Sequence, residues 1–132
     1  MEIIKSMELE YAKIALRSNG VLHIHFVGNY IITGKEAKAI NDILGNLSEN
    51  KEAPVLITAE TLIQFDRTAR EFSASPEGFR FTLAEALVVK NFAQKLIATF
   101  YISYDKPPKP SKVFTDETKA IDWLLNFKDE VD

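Results

Sequence analysis

The sequence contains no cysteine and only two histidines, and no apolar run approaches the roughly 20 residues needed to span a bilayer. Without cysteine there is no disulfide, no thiolate metal site and no cysteine nucleophile, which is typical of proteins from a reducing compartment. Residues 1–13 mix charged side chains with apolar ones, so we expect no export signal. These absences predict a cytoplasmic protein without a membrane span.

Basic residues are too few and too scattered to favour nucleic acid as a partner. The chain has 16 Lys and Arg against 19 Asp and Glu, a formal net charge of -3, with no basic block. Proteins that bind nucleic acid usually carry a basic stripe that neutralises phosphates. We therefore expect no nucleic acid binding.

What the sequence does contain fits one ordinary globular domain. Its 132 residues are 46% hydrophobic and 27% charged, close to the average for folded domains. A domain of this length buries roughly two-thirds of the surface that its unfolded chain exposes, so it needs no disulfide or metal to fold. We expect residues 1–132 to form a single domain.

The first part of the chain predicts a β-hairpin. Apolar residues alternate with charged ones over residues 7–16, and a shift of phase predicts a bulge at residues 11–13. The turn signal Ser-Asn-Gly at residues 18–20 follows, because Asn and Gly accept the positive φ angles of a tight hairpin connection. A strongly apolar run over residues 21–27 completes the hairpin.

A helix and a buried strand come next, in the order of a βαβ unit. Thr33 and Glu36 form a capping box, in which each side chain satisfies a free backbone N–H of the other, and the helix is expected to end near Asn50. Residues 54–57 are too short and too apolar for a half-exposed strand, so they predict a buried central one. Parallel strands covered by helices are therefore expected.

A second helix is predicted over residues 66–79, with Asp66 or Thr61 as its N-cap. Residues 84–89 then predict a buried strand, because they form a short apolar run. A third helix is expected from residue 92 to about residue 101, although strand propensity alone would favour a strand over residues 95–104. The helical prediction rests on an apolar stripe at helical spacing, formed by Ala93, Leu96, Ile97, Phe100 and Tyr104.

The last part of the chain predicts a connector, a short strand and a helix. Residues 105–112 contain three prolines and three lysines, which favour an extended connector. Val113 and Phe114 are expected to form an edge strand, and residues 115–117 to cap a final helix. The residues expected to face inward from this helix are Ala120, Trp123, Leu124 and Phe127, with Trp123 largely buried.

This order of strands and helices resembles the topology of STAS domains, the fold of anti-sigma-factor antagonists. The segment Lys-Val-Phe-Thr-Asp-Glu-Thr-Lys-Ala-Ile-Asp-Trp-Leu at residues 112–124 is similar to the closing strand and helix of SpoIIAA-like or STAS/SEC14-type bacterial proteins. The resemblance implies an α/β fold in which an N-terminal β-hairpin opens a mixed sheet that is packed against about four helices.

In STAS antagonists the serine of an Asp-Ser motif, at the start of the helix after the third strand, is phosphorylated to switch partner binding. Here Asp66 matches the family's aspartate, but Arg67 stands in the place of the serine and Thr68 is the nearest hydroxyl. Because a cation stands in the place of the phosphate acceptor, this site is as well suited to bind an anionic group of a partner or ligand as to be phosphorylated by a kinase.

Two features resemble binding sites, but we interpret both as structural features that bind no ligand. His23 and His25 lie two residues apart on one predicted strand and face the same way, the spacing of a two-histidine metal pair. Only a distant carboxylate could supply the third ligand that a catalytic metal usually takes. We therefore interpret the two histidines as an ordinary pair on one face of the sheet and not as metal ligands. Arg67 and Arg70 could together hold an anion at the helix start, but a solvated face with salt bridges to Asp66 and Glu71 is favoured.

Catalytic motifs are absent from the sequence. Residues 28–36 differ from a P-loop, because five residues separate the two glycines and Glu36 follows the lysine where serine or threonine is required. No serine lies in a Gly-x-Ser-x-Gly elbow. We expect a non-enzyme with no metal and no cofactor. Four carboxylates could serve in catalysis, but the sequence does not show which of them lie close together: Glu60, Asp66, Glu71 and Glu85.

Our first hypothesis is a non-catalytic regulatory or protein-interaction module whose partner surface spans residues 58–70. The expected partner is another protein, and a second copy of the chain, forming a homodimer, is one alternative. The candidate partner-binding residues are Thr58, Thr61, Asp66, Arg67, Thr68 and Arg70.

The second hypothesis is a carrier of a small apolar or lipid-like ligand, and an enzyme that depends on metal or carboxylates ranks third. A large apolar cavity with a polar mouth would favour the carrier, whereas a filled core beside a convex, exposed 58–70 surface would favour the module. The residues that could form either a filled core or the wall of a SEC14-like cavity are Phe79, Phe81, Phe92, Phe100 and Trp123.

Overall fold

Strands and helices alternate along most of the computed structural model, which describes residues 2–128. The expected single domain includes residues 1 and 129–132, which lie outside the described residues. The strands are β1 (Ile3–Glu8), β2 (Ala12–Arg17), β3 (Leu22–Phe26), β4 (Ile31–Ile32), β5 (Ala53–Ala59), β6 (Gln64–Phe65), β7 (Thr82–Val88) and β8 (Ser111–Phe114). The helices are α1 (Gly34–Leu47), α2 (Arg67–Ser73), α3 (Phe92–Phe100), a π-helical turn (Tyr101–Asp105) that continues α3, and α4 (Glu117–Lys128).

Six of the strands form one mixed sheet in the order β1-β2-β3-β5-β7-β8. Strand β2 pairs antiparallel with both β1 and β3, and the pairs β3–β5, β5–β7 and β7–β8 are parallel. The short strands β4 and β6 form a separate parallel pair. The predicted class is confirmed: an α/β fold with a mixed sheet, an antiparallel N-terminal part and four α-helices among the described residues.

The N-terminal prediction was incomplete, because residues 7–16 contain a turn and not a bulge. The chain reverses at residues 9–11, where the Leu9 N–H donates to the Ala12 carbonyl at 2.8 Å. Strand β1 is exposed along its whole length, and it forms one edge of the sheet. Leu9 and Tyr11 pack against the core from the turn, so their alternation with charged residues does not mark a strand. The predicted hairpin turn at residues 18–20 is confirmed between β2 and β3.

Helix α1 begins as the sequence predicts. The Glu36 carboxylate accepts hydrogen bonds of 3.0 Å from both the backbone N–H and the hydroxyl of Thr33. The helix ends at Leu47, slightly before the expected end, and the next residues leave the helical region because Glu49 and Asn50 have φ angles of 56° and 62°.

Helix α2 begins at the predicted cap but ends earlier than predicted. The Asp66 carboxylate accepts from the backbone N–H of Ala69 at 2.9 Å, which confirms Asp66 as the N-cap. The helix stops at Ser73, where the prediction extended it to residue 79. A turn replaces the last helical turns, and in it a Cβ on Gly78 would lie 2.2 Å from the carbonyl oxygen of Phe72. Such close approach of two backbone segments requires glycine.

The stretch from Phe92 to Asp105 is helical, as predicted, and not a strand. Most of the predicted inner stripe, however, faces solvent: Ala93 is exposed, and the exposed fractions are 54% for Leu96 and 67% for Tyr104, whereas Ile97 is half-buried. Phe92, which lies outside the stripe, is 73% exposed. Phe100 is exposed as well, so the core positions expected for Phe92 and Phe100 are wrong.

The face of α3 that does point inward carries small and polar residues. Its buried residues are Gln94 and Ala98, and Ile97 is half-buried. Helical periodicity identifies side chains that share a face, but it does not say which face another layer of the protein covers. In α3 the apolar face has no covering layer among the described residues.

The sheet is covered on both faces, and each face has its own apolar cluster. One face packs against α1 and α2 through the larger cluster, which includes Ile14, Ile24, Leu44 and Val55. The opposite face packs against α4 through a smaller cluster that includes Leu56, Ala86 and Leu124.

Helix α4 covers its face of the sheet with small and aliphatic residues. Ala120 and Leu124 are fully buried, as expected. Trp123 is only half-buried, against the expectation that it is largely buried, because it lies at the side of the helix between the rings of Phe114 and Phe127. No helix among residues 2–128 is long and apolar enough to cross a membrane.

Candidate functional site

A cavity of about 170 Å³ lies between the sheet and helices α1, α2 and α3, on the sheet face that carries the larger apolar cluster. Its walls are mostly apolar, with Ile24 from the sheet, Leu44 from α1, Phe72 from α2 and Ile97 from α3. The cavity is partly open to solvent. For comparison, an engineered apolar cavity of roughly 150 Å³ binds benzene or xenon. The space therefore suits a small, largely apolar molecule.

Helix α3 forms one wall of this cavity with its inner face, where Gln94 and Ala98 lie. Its first turn is held by the Gln94 side chain, whose Nε2 donates to the Thr61 carbonyl at 3.1 Å. At its other end, Asp105 forms an ion pair of 3.3 Å with Arg70 of α2. The arginine also lies over the Phe100 ring, 5.4 Å from its centre. Polar contacts thus connect α3 to the rest of the protein at both ends of the cavity wall.

One carboxyl group reaches the cavity from the sheet. Glu85 of β7 is buried and lines the cavity, and its Oε1 lies 3.1 Å from the hydroxyl oxygen of Ser111 on β8. The phenol of Tyr101, from the π-helical turn, lies near the same carboxyl and lines the cavity too. Among residues 2–128, no Lys, Arg or His forms an ion pair with Glu85.

Burial decides the protonation of these two groups. It raises the pKa of Glu85 to about 7, because a charged carboxylate loses its hydration, and the hydroxyls of Ser111 and Tyr101 only partly oppose this. Burial and the neighbouring Glu85 also raise the pKa of Tyr101, so the phenol stays neutral and can donate. The cavity therefore contains one acid that changes its charge near neutral pH.

The predicted partner-binding residues at the start of α2 form a capping network and an exposed ion pair. The hydroxyl of Thr68 donates to the Asp66 carboxylate at 2.7 Å and accepts from the Gly34 N–H at 2.9 Å. The hydrogen bond from the Ala69 backbone and that from the Thr68 side chain lower the pKa of Asp66. Arg67, with a side chain 83% exposed, pairs with Glu71 at 2.7 Å, so the favoured salt bridge to Glu71 is present.

The other three predicted residues lie at the cavity and do not extend the exposed surface. Thr58 is buried, and Thr61 donates from its hydroxyl to the Gly28 carbonyl at 2.9 Å. The charge of Arg70 is offset by Asp105, so Arg70 does not join Arg67 in an anion site. All three border the cavity, but the hydroxyl of Thr58 points to the opposite face of the sheet, toward His23 and His25. The six residues predicted from the sequence are therefore divided between the cavity and the head of α2.

The two histidines lie on the opposite, α4-covered face of the sheet and form a hydrogen-bonded chain. The Arg17 guanidinium donates to His23 Nδ1 at 2.9 Å, so His23 is protonated on Nε2, which donates to the Thr58 hydroxyl at 2.7 Å. That hydroxyl is then free to donate to His25 Nδ1 at 2.7 Å. Burial, Arg17 and His25 lower the pKa of His23 to about 4. No three His, Asp or Glu side chains of residues 2–128 are grouped to hold a metal ion.

Sequence reasoning named Glu85 as a carboxylate but missed the site around it. A signal was present, because Glu85 lies between Ala84 and Ala86 in an apolar strand that is covered on both faces. A charge in such a strand is rarely buried without a reason. Tyr101 could not be assigned to the site, because the sequence does not predict the π-helical turn that directs it inward while Phe100 and Tyr104 stack outside.

The fold places the chain among the α/β proteins with a SpoIIAA-like fold. One solved structure that it matches is an uncharacterized protein of the DUF3478 family with a SpoIIAA-like fold from Shewanella loihica. The two chains are 17% identical with a TM-score of 0.58, and the match covers 91% of this chain and 98% of the other. At this identity the likeness establishes the fold alone, and it confirms the SpoIIAA-like resemblance noted in the sequence.

The family itself follows from a match to residues 14–128. That family is described as "Domain of unknown function (DUF7793)", and the chain belongs to it. No curated protein matches the sequence.

Proposed function

We propose that the protein is a non-catalytic binding module that takes up a small, largely apolar molecule in the cavity under α3. The observation that carries this proposal is the cavity itself, about 170 Å³ of mostly apolar space with one buried carboxyl on its wall. Ligand sites are usually concave and apolar, with a few convergent polar groups that orient the ligand. The first hypothesis from the sequence, the interaction module, would be favoured by a filled core. The open space beneath α3 supports a ligand-binding module instead.

The position of α3 supports the same function. Its inner face offers Ala98 and Ile97 to the cavity, where larger side chains would fill the space. Interiors that serve only stability are packed to nearly crystalline density, and voids larger than a water molecule are few. Here two small or half-buried residues leave space open beneath a helix whose own apolar residues point outward.

The test is toluene binding to the purified protein, measured by the rise in melting temperature and by calorimetric titration. Toluene should bind and stabilise the folded state, since a ligand that binds only the folded protein raises its stability. Ala98→Leu should fill the cavity and abolish binding while the protein stays folded. Ala93→Leu is the matched control, because Ala93 lies on the exposed face of the same helix. Absence of toluene binding to the wild-type protein, or equal binding by Ala98→Leu, would reject the proposal.

A second candidate function is the protein-interaction module of the sequence analysis, reduced to the head of α2. The exposed guanidinium of Arg67 favours it, because its ion pair with Glu71 is itself exposed and a partner can reach it. An anionic group on another protein would fit this surface. The two functions are compatible, since α2 contributes both the exposed Arg67 and the cavity-lining Phe72.

A further inference from the structure

Glu85 is a buried carboxyl group with hydrogen-bond donors around it but no cation. Its neighbours in the cavity are the hydroxyls of Ser111 and Tyr101. The nearby Arg70 also borders the cavity, but its charge is paired with Asp105 at 3.3 Å. A buried carboxylate is normally paired, because an uncompensated charge in an apolar surrounding is strongly unfavourable. Within residues 2–128 the compensating positive charge is absent.

The carboxylate also retains capacity for further hydrogen bonds. An ionised carboxylate has about four acceptor positions, and Ser111 and the nearby Tyr101 can supply at most one donor each. Ser111 is shared, because its hydroxyl oxygen also lies 3.1 Å from the Lys109 carbonyl. A ligand that donates hydrogen bonds and carries a positive charge would satisfy the carboxylate more fully than the protein alone.

We infer that the ligand of the cavity is a small hydrophobic amine, whose apolar body fills the space under α3 and whose ammonium group pairs with the Glu85 carboxylate. This inference rests on the proposed function, because it names the ligand class of the same cavity. Charge-assisted hydrogen bonds are about twice as strong as neutral ones, and the low dielectric around a buried carboxyl strengthens them further. An anion would be excluded, because Arg70, the one cation among residues 2–128 that lines the cavity, is already paired with Asp105.

Binding of an amine should also release a proton. In the empty protein near pH 6, burial keeps most of the Glu85 carboxyl protonated, because its pKa is about 7. When R-NH₃⁺ binds, the ion pair favours the carboxylate, and the proton of Glu85 passes to the buffer. The groups that face this carboxyl are Ser111 of β8 and Tyr101 of the π-helical turn, with the Arg70–Asp105 pair nearby, and the raised pKa of the tyrosine keeps it from releasing the proton.

The experiment compares four probes that share one ring: toluene, benzyl alcohol, benzylamine and benzoate. Each is titrated calorimetrically into the wild-type protein near pH 6, in two buffers whose enthalpies of ionisation differ. We expect benzylamine to bind at least about tenfold more tightly than toluene, benzoate not to bind, and only benzylamine to give a heat that depends on the buffer. Glu85→Gln should reduce the affinity for benzylamine to that which the same variant has for toluene.

The outcomes separate this inference from the proposed function. If none of the four probes binds, the proposed function fails together with the inference. If toluene and benzylamine bind equally and no proton is released, the cavity is a ligand site but the amine assignment is wrong. Tighter binding of benzyl alcohol than of benzylamine would assign a neutral hydroxyl ligand to a protonated Glu85. The buffer comparison uses the wild-type protein alone, so it decides the question even if Glu85→Gln fails to fold.

Discussion

The carboxyl of Glu85 and the hydroxyl of Ser111 lie 3.1 Å apart on facing positions of the parallel strands β7 and β8. The same hydroxyl lies 3.1 Å from the Lys109 carbonyl, so the pair suits both states of the acid. When Glu85 is ionised, Ser111 can donate to it. When Glu85 is protonated, its own O–H can donate to Ser111, which then donates to Lys109. This local exchange lets a buried acid change its charge without losing its hydrogen bonds.

Our first prediction concerns the pH dependence of stability. The pKa of Glu85 is raised from 4.5 to about 7 in the folded state, so the folded protein binds more protons than the unfolded chain between these values. The contribution of Glu85 to stability is therefore present below about pH 4.5 and is lost as the pH rises to 7. Glu85→Gln removes this loss. Relative to the wild type, the variant should gain about 2 to 3 kcal/mol between pH 5 and pH 8, measured by urea unfolding.

The comparison with the variant is needed because His23 acts in the opposite direction. Its pKa is lowered to about 4, so the unfolded chain binds more protons below about pH 6.5, and stability is lost as the pH falls through that range. In the wild-type protein the two effects partly cancel. A Glu85→Gln variant whose pH profile is parallel to that of the wild type would show that Glu85 is not perturbed.

A second prediction concerns the exposed apolar face of α3. Leu96→Ala should change the free energy of unfolding by less than about 1 kcal/mol, because Leu96 loses little contact when it is truncated. Leu124→Ala is the control, because Leu124 is fully buried against the other face of the sheet and its truncation should cost about 2 to 5 kcal/mol. Urea unfolding of both variants checks this. Equal losses would mean that Leu96 is covered in the folded protein.

A third prediction tests the interaction surface at the head of α2. Arg67→Glu should leave the fold intact, since the side chain is solvent-facing and its loss affects one exposed ion pair with Glu71. It should weaken a complex with an anionic partner by about 2 to 5 kcal/mol, enough to abolish a micromolar affinity. The measurement is a pull-down, with circular dichroism to check that each variant is folded. Lys119→Glu, an exposed charge reversal on α4, is the control. Retained binding by Arg67→Glu, or loss only in Thr68→Ala, would contradict this surface.

Local signals in the sequence predicted most of the fold. The capping box of Thr33 and Glu36, the Ser-Asn-Gly turn at residues 18–20 and the N-cap Asp66 depend on neighbours within a few residues, so the sequence alone could identify them. Helix α3 was predicted from the helical spacing of its apolar residues, which is also contained in one segment of the chain. Such signals act within one turn or hairpin and do not require knowledge of the tertiary structure.

The failures lie where the environment of a residue depends on distant parts of the chain. The apolar stripe of α3 was placed inward, but Gln94 takes the inner position because its amide meets the Thr61 carbonyl from another loop. The cavity and the pairing of Glu85 with Ser111 depend on strands separated by more than twenty residues. Periodicity contains no information about such contacts, and so neither the open space nor the partners of its acid could be predicted.

The cavity under α3 has a further consequence for how the protein responds to compression. Unfolding eliminates internal voids, so the unfolded state occupies less volume, and a larger void makes this difference larger. A space of about 170 Å³ in a chain of 132 residues should therefore make the folded state sensitive to hydrostatic pressure. A bound molecule or an added side chain beneath α3 would oppose that loss of volume, and the protein would withstand higher pressures when the space is occupied.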